Sequence, residues 1–341
     1  MWMSLRRHSL ILTTLLVGWA CPAAFAASAT SPSSPAPPAS TLAVSTFPRT
    51  LTDGAGRTVK LAEKPQRLVS LSPALTEMIL AVGDGDALVG VTRYCTVPDK
   101  DPPIARVGGV LDPDYEHIVA LRPDLVLLPN LASSQLLERM ESLGLPVVVF
   151  SPEGLDNLPR DLRLAGQATG RDDQGEALAR QFEDLRALAR ARLHDLTAEH
   201  RPTAVIIYGP DLLASSPEGF AGQLLDEAGA RNVVPLGPIA WPELTPEALL
   251  RLNPEVIFLV RDSTTESWPP ASQPALRALA AVRQSRVVDL PESLFQRPGP
   301  LLGEALWTLA RALYPSRFPE ATAREALAHS TSNASVTPAK P

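Results

Sequence analysis

The chain has 341 residues, of which 45% are hydrophobic and 20% are charged, so it is long enough for one large or two medium domains with buried cores. A net charge of −6 and a pI near 5.5 argue against nucleic acid or acidic lipid as a partner. Only Cys21 and Cys95 occur, and Cys21 lies in a segment expected to be removed, so no disulfide is expected in the mature chain.

Residues 1–26 have the features of a secretory signal peptide. Two arginines precede the apolar run at residues 10–20, which is too short for a comfortable membrane span, and residues 24–26 (Ala-Phe-Ala) fit a cleavage site. The alternative is lipid attachment at Cys21, although the bulky Trp19 just before it makes a poor lipoprotein box. Both alternatives predict export, and we expect a periplasmic location.

Residues 27–46 are rich in Pro, Ser and Ala, a composition that predicts a flexible tether without a core of its own. Order is expected from Phe47 onward. Residues 50–61 (TLTDGAGRTVKL) predict a short β-hairpin, because Asp53-Gly54 supplies a turn between two β-favouring segments.

Residues 47–154 are predicted to form a first α/β lobe. The apolar run Leu68 to Leu71, the break at Ser72-Pro73 and apolar residues at helical spacing after it predict a strand, a tight turn and a helix. Because α/β sheets bind ligands beyond the carboxyl ends of their strands, Ser72, Pro73 and Ala74 are candidate ligand-binding residues. Strands and helices alternate up to Phe150, which is typical of a parallel sheet covered by helices.

Residues 155–200 are predicted to be a helical linker, because strand patterns are absent from them. Their second periodic segment predicts a helix of about 25 residues, roughly 37 Å long, enough to cross between two lobes. The alternative is a helix that lies on one domain. Strand and helix patterns resume at residues 201–318, which predict a second α/β lobe, and residues 319–341 are predicted to be a disordered tail.

The two predicted lobes contain a repeated segment. EHIVALRPDLV, beginning at Glu116, matches EALLRLNPEVI, beginning at Glu247, with a Glu in the first turn of a helix, Pro seven residues later, and then a strand. The repeat predicts two copies of one plan with a cleft between them. Glu116 and Glu247 either stabilise their helix dipoles or each engage an arginine on a partner.

Sequence motifs of catalysis were not found: the chain has no G-x-S-x-G, P-loop or H-E-x-x-H motif, and its five His form no metal-ligating pattern. No catalytic or metal-binding residue is therefore predicted. Aromatic side chains that follow strands or lie in loops predict a cleft for a large, flat, partly apolar ligand; the alternative is that they pack loops onto the core. These residues are Tyr94, Tyr208, Trp241 and Phe295. Arg93 and Arg297 are placed to meet acidic or amide groups of the ligand.

The segments RLVSLSPALTEMILAVG, VGVTRY, EHIVALRPDLVLL, WPELTPEALLRLNPEVI and LFQRPGP together resemble the class III periplasmic substrate-binding proteins of ABC importers for vitamin B12, ferric siderophores and haem. The resemblance covers residues 51–314. It implies two Rossmann-like lobes with parallel sheets, joined by one long α-helix, and a ligand cleft between them. It also implies a monomer without a resident cofactor that delivers its ligand to a permease dimer in the inner membrane, where Glu116 and Glu247 dock on arginines.

Within this class the chain most resembles the cobalamin-binding members. By that resemblance Tyr94 and Trp241 contact the corrin and Arg297 belongs to the same pocket. The chain departs from the pattern at Val110 and Pro129, where the cobalamin protein has Trp, and at Ser293, where it has an acidic residue.

The resulting hypothesis is a capture protein for cobalamin. The ligand is held by the four aromatic residues, with hydrogen bonds from the Ser72 to Ala74 turn and from Arg297. A ferric siderophore or haem is the alternative ligand, with Tyr94 or Tyr208 able to bind iron. Rival functions are an exported α/β hydrolase, and an envelope sensor or tethered scaffold that keeps the fold but has lost transport.

Overall fold

A computed structural model describes residues 46–130, 134–152, 154–261 and 274–334. The predicted signal peptide, and residues 27–45 of the predicted tether, lie outside the described residues. Among the helices that are described, none has the length and apolar character needed to span a membrane.

The chain enters the fold through the predicted hairpin, in which β1 (Arg49–Thr52) pairs antiparallel with β2 (Thr58–Leu61). Asp53 fixes the turn, because its Oδ1 accepts hydrogen bonds from the backbone N–H groups of Ala55 at 3.0 Å and Arg57 at 2.8 Å. Its Oδ2 also accepts from the N–H of Val149 at 3.2 Å. The hairpin is thereby attached to the first lobe.

The first lobe is a five-stranded parallel sheet with strand order β5-β4-β3-β6-β7. Its strands are β3 (Leu68–Ser70), β4 (Leu88–Val91), β5 (Ala105–Arg106), β6 (Leu125–Pro129) and β7 (Val147–Phe150), and its helices are α1 (Pro73–Ala81), α2 (Tyr115–Ala120) and α3 (Ser134–Ser142). Every residue of β3, β6 and β7 is buried. Both faces of the sheet are covered, which explains why these strands are nearly continuous apolar runs.

Two helices follow the first lobe, α4 (Leu158–Thr169) and α5 (Asp172–Arg192). Gly170 has a φ of 68° and ends α4 in the left-handed conformation that favours glycine. The helices cross closely, since a Cβ on Gly166 would lie only 3.0 Å from the Cα of Gly175. With 21 residues, α5 is about 32 Å long, somewhat shorter than predicted.

The second lobe contains a sheet of strand order β10-β8-β11-β12 with β9 paired to β8. Its strands are β8 (Thr203–Tyr208), β9 (Leu213–Ala214), β10 (Arg231–Asn232), β11 (Val256–Arg261) and β12 (Val287–Pro291), and its helices are α6 (Phe220–Glu227), α7 (Pro246–Leu252), α8 (Ala280–Arg283) and α9 (Glu292–Phe295). The pairings of β8 with β10 and β11, and of β11 with β12, are parallel as predicted, while the short β9 is antiparallel to β8. The reversal uses Gly209 and Leu212, whose φ angles are 71° and 57°.

The bridging role of α5 is confirmed by its contacts with both lobes. It packs on α4, which packs on the first lobe, and on α10 (Leu302–Leu313), which packs on α6 and α9 of the second lobe. Gly303 makes the second contact close, since a Cβ there would lie 2.6 Å from Cδ1 of Leu185. The structure therefore consists of two α/β lobes joined by one long helix.

The predicted disordered tail at residues 319–341 is wrong for its described part, which contains α11 (Ala323–Ala334). Ala323 and Ala326 are fully buried. Glu320 joins this segment to α5 through an ion pair with Arg192 at 2.7 Å, and its carbonyl accepts a hydrogen bond from Nε1 of Trp307 at 3.1 Å. An Ala-rich composition suggested a tail, whereas the small side chains allow close helix packing. Residues 335–341 lie outside the described residues.

The repeated segments occupy equivalent places in the two lobes. α2 precedes β6, which pairs with β3, and α7 precedes β11, which pairs with β8. Each helix has a side-chain N-cap: Asp114 accepts from the N–H of His117 at 2.9 Å, and the hydroxyl of Thr245 accepts from the N–H of Ala248 at 3.1 Å. The prediction of two copies of one plan is confirmed.

Candidate ligand-binding cleft

The turn between β3 and α1 lies at the carboxyl end of the central strand of the first sheet. The carbonyl of Ser72 accepts hydrogen bonds from the backbone N–H and the hydroxyl of Thr76, both at 3.0 Å, and from the hydroxyl of Ser70 at 3.1 Å. Ser72 makes no side-chain cap and Pro73 occupies the first turn. The first amides of α1 are therefore left without a side-chain acceptor at this edge of the sheet.

This turn lines a cavity of about 540 Å³ that also receives residues of the second lobe. We call it the apolar cavity; it is lined by Leu71, Ser72, Pro73, Ala74, Thr92, Tyr94, Val110, Pro129, Pro152, Gln296, Arg297 and Pro298. The structure thus brings together five predicted site residues: Ser72, Pro73, Ala74, Tyr94 and Arg297. The Tyr94 side chain is 65% exposed, so its ring is available to a bound molecule.

A second cavity of about 600 Å³ adjoins the first, and the two share Gln296 and Arg297. We call it the polar cavity; it is lined by Thr96, Arg261, Asp289, Leu290, Pro291, Glu292, Ser293, Gln296 and Arg297. All of these residues except Thr96 follow β8 in the chain. The cleft is therefore apolar on the side of the first lobe and polar on the side of the second.

The charged side chains of the cleft are paired. Nε of Arg261 lies 2.6 Å from Oδ1 of Asp289, and Nε of Arg297 lies 2.9 Å from Oε1 of Glu77. The amide of Gln296 donates to the carboxylate of Glu292. Among the described lining residues, each arginine thus has a carboxylate partner. Partial burial raises the pKa of Glu77, and Arg297 opposes that rise.

Three other predicted site residues form a cluster apart from the residues that line the two cavities. The rings of Tyr208 and Trp241 meet edge to face with centroids 5.1 Å apart, and Trp241 also packs on Phe220 at 5.5 Å. The Tyr208 hydroxyl donates to the carbonyl of Phe295 at 2.8 Å. Trp241 remains partly exposed.

Two expectations about this cluster require correction. The Phe295 side chain is fully buried in the core, so its ring does not line the cleft. Phe295 is the last residue of α9, the helix that directly follows β12, and it packs on the core as the alternative predicted. Burial raises the pKa of Tyr208 well above its ordinary value, and its hydroxyl is engaged, so Tyr208 is poorly suited to bind iron as a phenolate.

The rim of the cleft carries charged and apolar side chains. Arg93 lies 5.2 Å from the ring centroid of Tyr94 and forms an ion pair with Asp112. The hydrogen bond from Arg93 lowers the pKa of Asp112. Leu111, next to Asp112 in the chain, is also exposed. Sequence reasoning missed Leu111 because a single leucine in a loop has no pattern.

Glu77 was also missed as a site residue. It is the only charged residue of α1, whose sequence is PALTEMILA, and that isolation in an apolar helix was an available signal. Glu116 and Glu247 are exposed, and each is the second residue of its helix, directly after the capped turn. Their docking role stays a prediction.

Cys95 lies behind the wall of the apolar cavity. Its Sγ is buried and lies 3.0 Å from the hydroxyl of Thr92 and 3.2 Å from that of Thr76. The part of the chain that the structure describes contains no cluster of three or more His, Cys, Asp or Glu arranged to hold a metal. Cys95 is therefore packed into a network of hydroxyl groups.

Comparisons with known proteins agree with this architecture. The chain is 27% identical over 280 residues to an ABC transporter substrate-binding lipoprotein of Bacillus subtilis, covering 80% of this chain and 88% of that one. It is 29% identical to the vitamin B12-binding protein of Pectobacterium atrosepticum, covering 70% and 85%.

Solved structures show the same fold. The molybdate-bound periplasmic protein MolA of Haemophilus influenzae has a TM-score of 0.71 at 23% identity, covering 81% of this chain and 94% of that one. A periplasmic haem-binding protein of Pseudomonas aeruginosa has a TM-score of 0.61 at 26% identity, covering 74% and 94%.

The model of one family matches residues 68–294, a segment that begins at β3 and ends within α9. It includes both sheets, the bridging helix and most residues of the two cavities. The chain therefore belongs to the periplasmic binding protein family, whose members are substrate-binding proteins of ABC transporters and not enzymes.

Proposed function

We propose that this protein captures a corrinoid outside the cytoplasm and delivers it to the permease of an ABC importer. The observation that carries the proposal is the two-part cleft. An apolar cavity with the exposed ring of Tyr94 suits the flat macrocycle. The adjoining polar cavity, where each described arginine has a carboxylate partner, suits the neutral amide groups at the corrin periphery.

The paired charges favour this ligand over a strongly anionic one. An acidic ligand would have to displace Asp289 or Glu77 from an arginine, or lie near carboxylates that repel it, and repulsion is strong where burial limits screening. Neutral amides can donate to the carboxylates and accept from the guanidinium groups without breaking either pair. The likeness to vitamin B12-binding proteins supports the same ligand class.

Haem or a ferric siderophore is the second candidate. The observation in its favour is Tyr94, which is exposed in the cleft beside Arg93. A phenol oxygen is a known ligand for ferric iron. The likeness to haem-binding proteins fits this alternative.

Delivery is proposed to use the matched tips of the two lobes. Glu116 and Glu247 are exposed at equivalent helix starts, and such a matched pair of carboxylates suits a permease dimer with one arginine site on each subunit. Since one stiff helix joins the lobes, we expect little closure on binding and an affinity that depends on a preformed cleft. We expect the free protein to be a monomer.

Calorimetric titration of the purified chain without residues 1–26 tests the ligand. Cyanocobalamin is titrated first, then haemin, then a panel of ferric siderophores. The proposal expects cyanocobalamin to bind with a Kd in the nanomolar to low-micromolar range, on the order of −8 to −12 kcal/mol. Binding of haemin or a ferric siderophore with no heat from cyanocobalamin would replace the corrinoid by the second candidate.

A further inference from the structure

An ion pair joins the two lobes at the cleft. Glu77 lies on α1 of the first lobe, and Arg297 lies between α9 and α10 of the second. Both side chains are mostly buried, with 25% and 19% of their surfaces exposed. The loop of the second lobe lies directly against the carboxylate, because a Cβ on Gly299 would be only 2.8 Å from Oε2 of Glu77.

Arg297 is the charged group that the two cavities share. Its Nη2 donates to Oε1 of Gln296 at 3.2 Å, and the Gln296 amide donates to Glu292. A continuous line of polar groups thus runs from Glu77 to Glu292. A ligand that spans both cavities must contact the guanidinium of Arg297. The positive charge that this ligand meets is offset by the carboxylate of Glu77.

The described charges of the cleft have a small negative excess. Arg261 and Arg297 face the carboxylates of Glu77, Asp289 and Glu292, so this set of five carries one net negative charge. Without the carboxylate of Glu77 the same set would be neutral, and Arg297 would have no carboxylate partner. The charge that a ligand meets at the junction of the cavities therefore depends on Glu77.

We propose that Glu77 is a specificity-determining residue that makes the cleft select neutral, amide-bearing ligands over the corresponding carboxylates. This inference rests on the proposed corrinoid function and names a determinant that acts through Arg297. Partial burial raises the pKa of Glu77, and the nearby guanidinium of Arg297 opposes that rise. Gly299 leaves the space that the carboxylate occupies.

The test compares two probes that differ by one charge, cyanocobalamin and its monocarboxylic acid, in which one peripheral amide is hydrolysed. The Kd of each is measured by calorimetry at low salt for the wild type and for Glu77→Gln. We expect the wild type to prefer the amide, and we expect its preference to fall about fivefold in Glu77→Gln, the order expected for one partly screened charge several ångströms away. An unchanged preference in a folded Glu77→Gln protein would overturn the inference.

Three further variants separate selectivity from stability. Glu77→Asp keeps the charge and should keep the preference for the amide, which a purely steric role would not require. Glu138→Gln removes an exposed carboxylate of α3 and should change neither Kd. If Glu77→Gln does not fold, Arg297→Gln gives the opposite test: the preference should increase, and a decrease would contradict the inference.

Failure of the proposed function gives a different result. If neither corrinoid binds the wild type, the corrinoid assignment is wrong, and haemin, which carries two carboxylates, becomes the probe. A several-fold gain in haemin affinity in Glu77→Gln would still support charge selection by Glu77. No gain would overturn it.

Discussion

The two lobes share a plan but present different surfaces to the cleft. Each has a capped helix followed by a buried strand, α2–β6 in the first and α7–β11 in the second. The first lobe lines the cleft with a Ser-Pro-Ala turn, two further prolines and Tyr94. The second lines it mostly with charged and amide side chains, including Arg261, Glu292 and Gln296.

The difference separates two requirements on one fold. The starts of α2 and α7, which carry Glu116 and Glu247, are alike in the two lobes, as expected if both meet equivalent sites on a symmetric partner. The surfaces that the two lobes turn to the cleft are unlike, as expected for a ligand with an apolar body and a polar periphery. The repeated strands and helices therefore determine where residues lie in each lobe. The loops at the strand ends determine whether the cleft is apolar or polar there.

The largest expected effect tests the likeness of the tips. The double variant Glu116→Ala with Glu247→Ala should abolish uptake of the ligand in cells while leaving its Kd unchanged, because both side chains are exposed on the proposed docking surface. Each single variant should impair uptake to a similar degree. Normal uptake by the double variant would end the docking assignment, and absence of uptake by the wild type would favour the scaffold hypothesis.

The packing of α5 against α4, on the side of the first lobe, should tolerate an added methyl group less well than its packing against α10, on the side of the second. A Cβ at Gly175 would meet the backbone carbonyl of Leu162 at 2.6 Å, whereas the close contact of a Cβ at Gly303 would be with the end of the Leu185 side chain, also at 2.6 Å. Gly175→Ala should therefore lower the free energy of unfolding by about 1–3 kcal/mol. Gly303→Ala should cost less than about 1 kcal/mol, since helix propensity offsets the strain. Equal losses in urea unfolding would contradict this contrast.

The contributions of the aromatic residues can be compared in the same way. Tyr94→Ala should weaken binding at least tenfold, about 1.4 kcal/mol, without changing the Tm, because the side chain is mostly exposed. Trp241→Ala should lower the Tm, because Trp241 packs on Tyr208 and Phe220. It should weaken binding less than Tyr94→Ala does, because Trp241 lies apart from the residues that line the two cavities. Unchanged affinity in calorimetry would remove the substituted residue from the site.

The smallest expected effect is a change in stability on removal of the ion pair between Glu320 and Arg192. The hydrogen bond from Arg192 lowers the pKa of Glu320 to about 2, from an ordinary value of 4.5. The folded state therefore binds the proton less tightly than the unfolded state, so the stabilisation is complete above pH 4.5 and is lost as the pH falls towards 2. Glu320→Gln should be less stable than the wild type at pH 7, and the difference should shrink at pH 3. The free energies of unfolding of the two proteins are compared by urea unfolding at each pH. A difference that is the same at pH 7 and pH 3 would show that the charge of Glu320 does not contribute to stability.

Much of the fold followed from the sequence. The apolar runs of β6 and β11 predicted buried strands, and the repeated segments that begin at Glu116 and Glu247 predicted the helices before them. The helix α11 was missed because its buried face consists of small Ala residues and its anchor is a distant pair, Arg192 with Glu320. Only tertiary packing reveals such a segment.

The site was less predictable than the fold. The turn at Ser72 was recognisable because strand ends are where α/β sheets bind ligands. Phe295 was misplaced because an aromatic residue beside a strand end can point to the cleft or to the core, and the local sequence is the same in both cases. Glu77 was missed because its partner Arg297 is 220 residues away in the chain, and ion pairs between lobes leave no periodic pattern.

The position of Cys95 has a kinetic consequence. Its sulfur is buried behind Thr92, which lines the apolar cavity, so a thiol reagent can reach it only when this part of the wall opens. The rate of modification is then set by how often the wall opens and not by the intrinsic reactivity of the thiol alone. A ligand that holds the wall closed should slow the modification of Cys95. The modification rate of this thiol therefore reports how often this part of the first lobe opens.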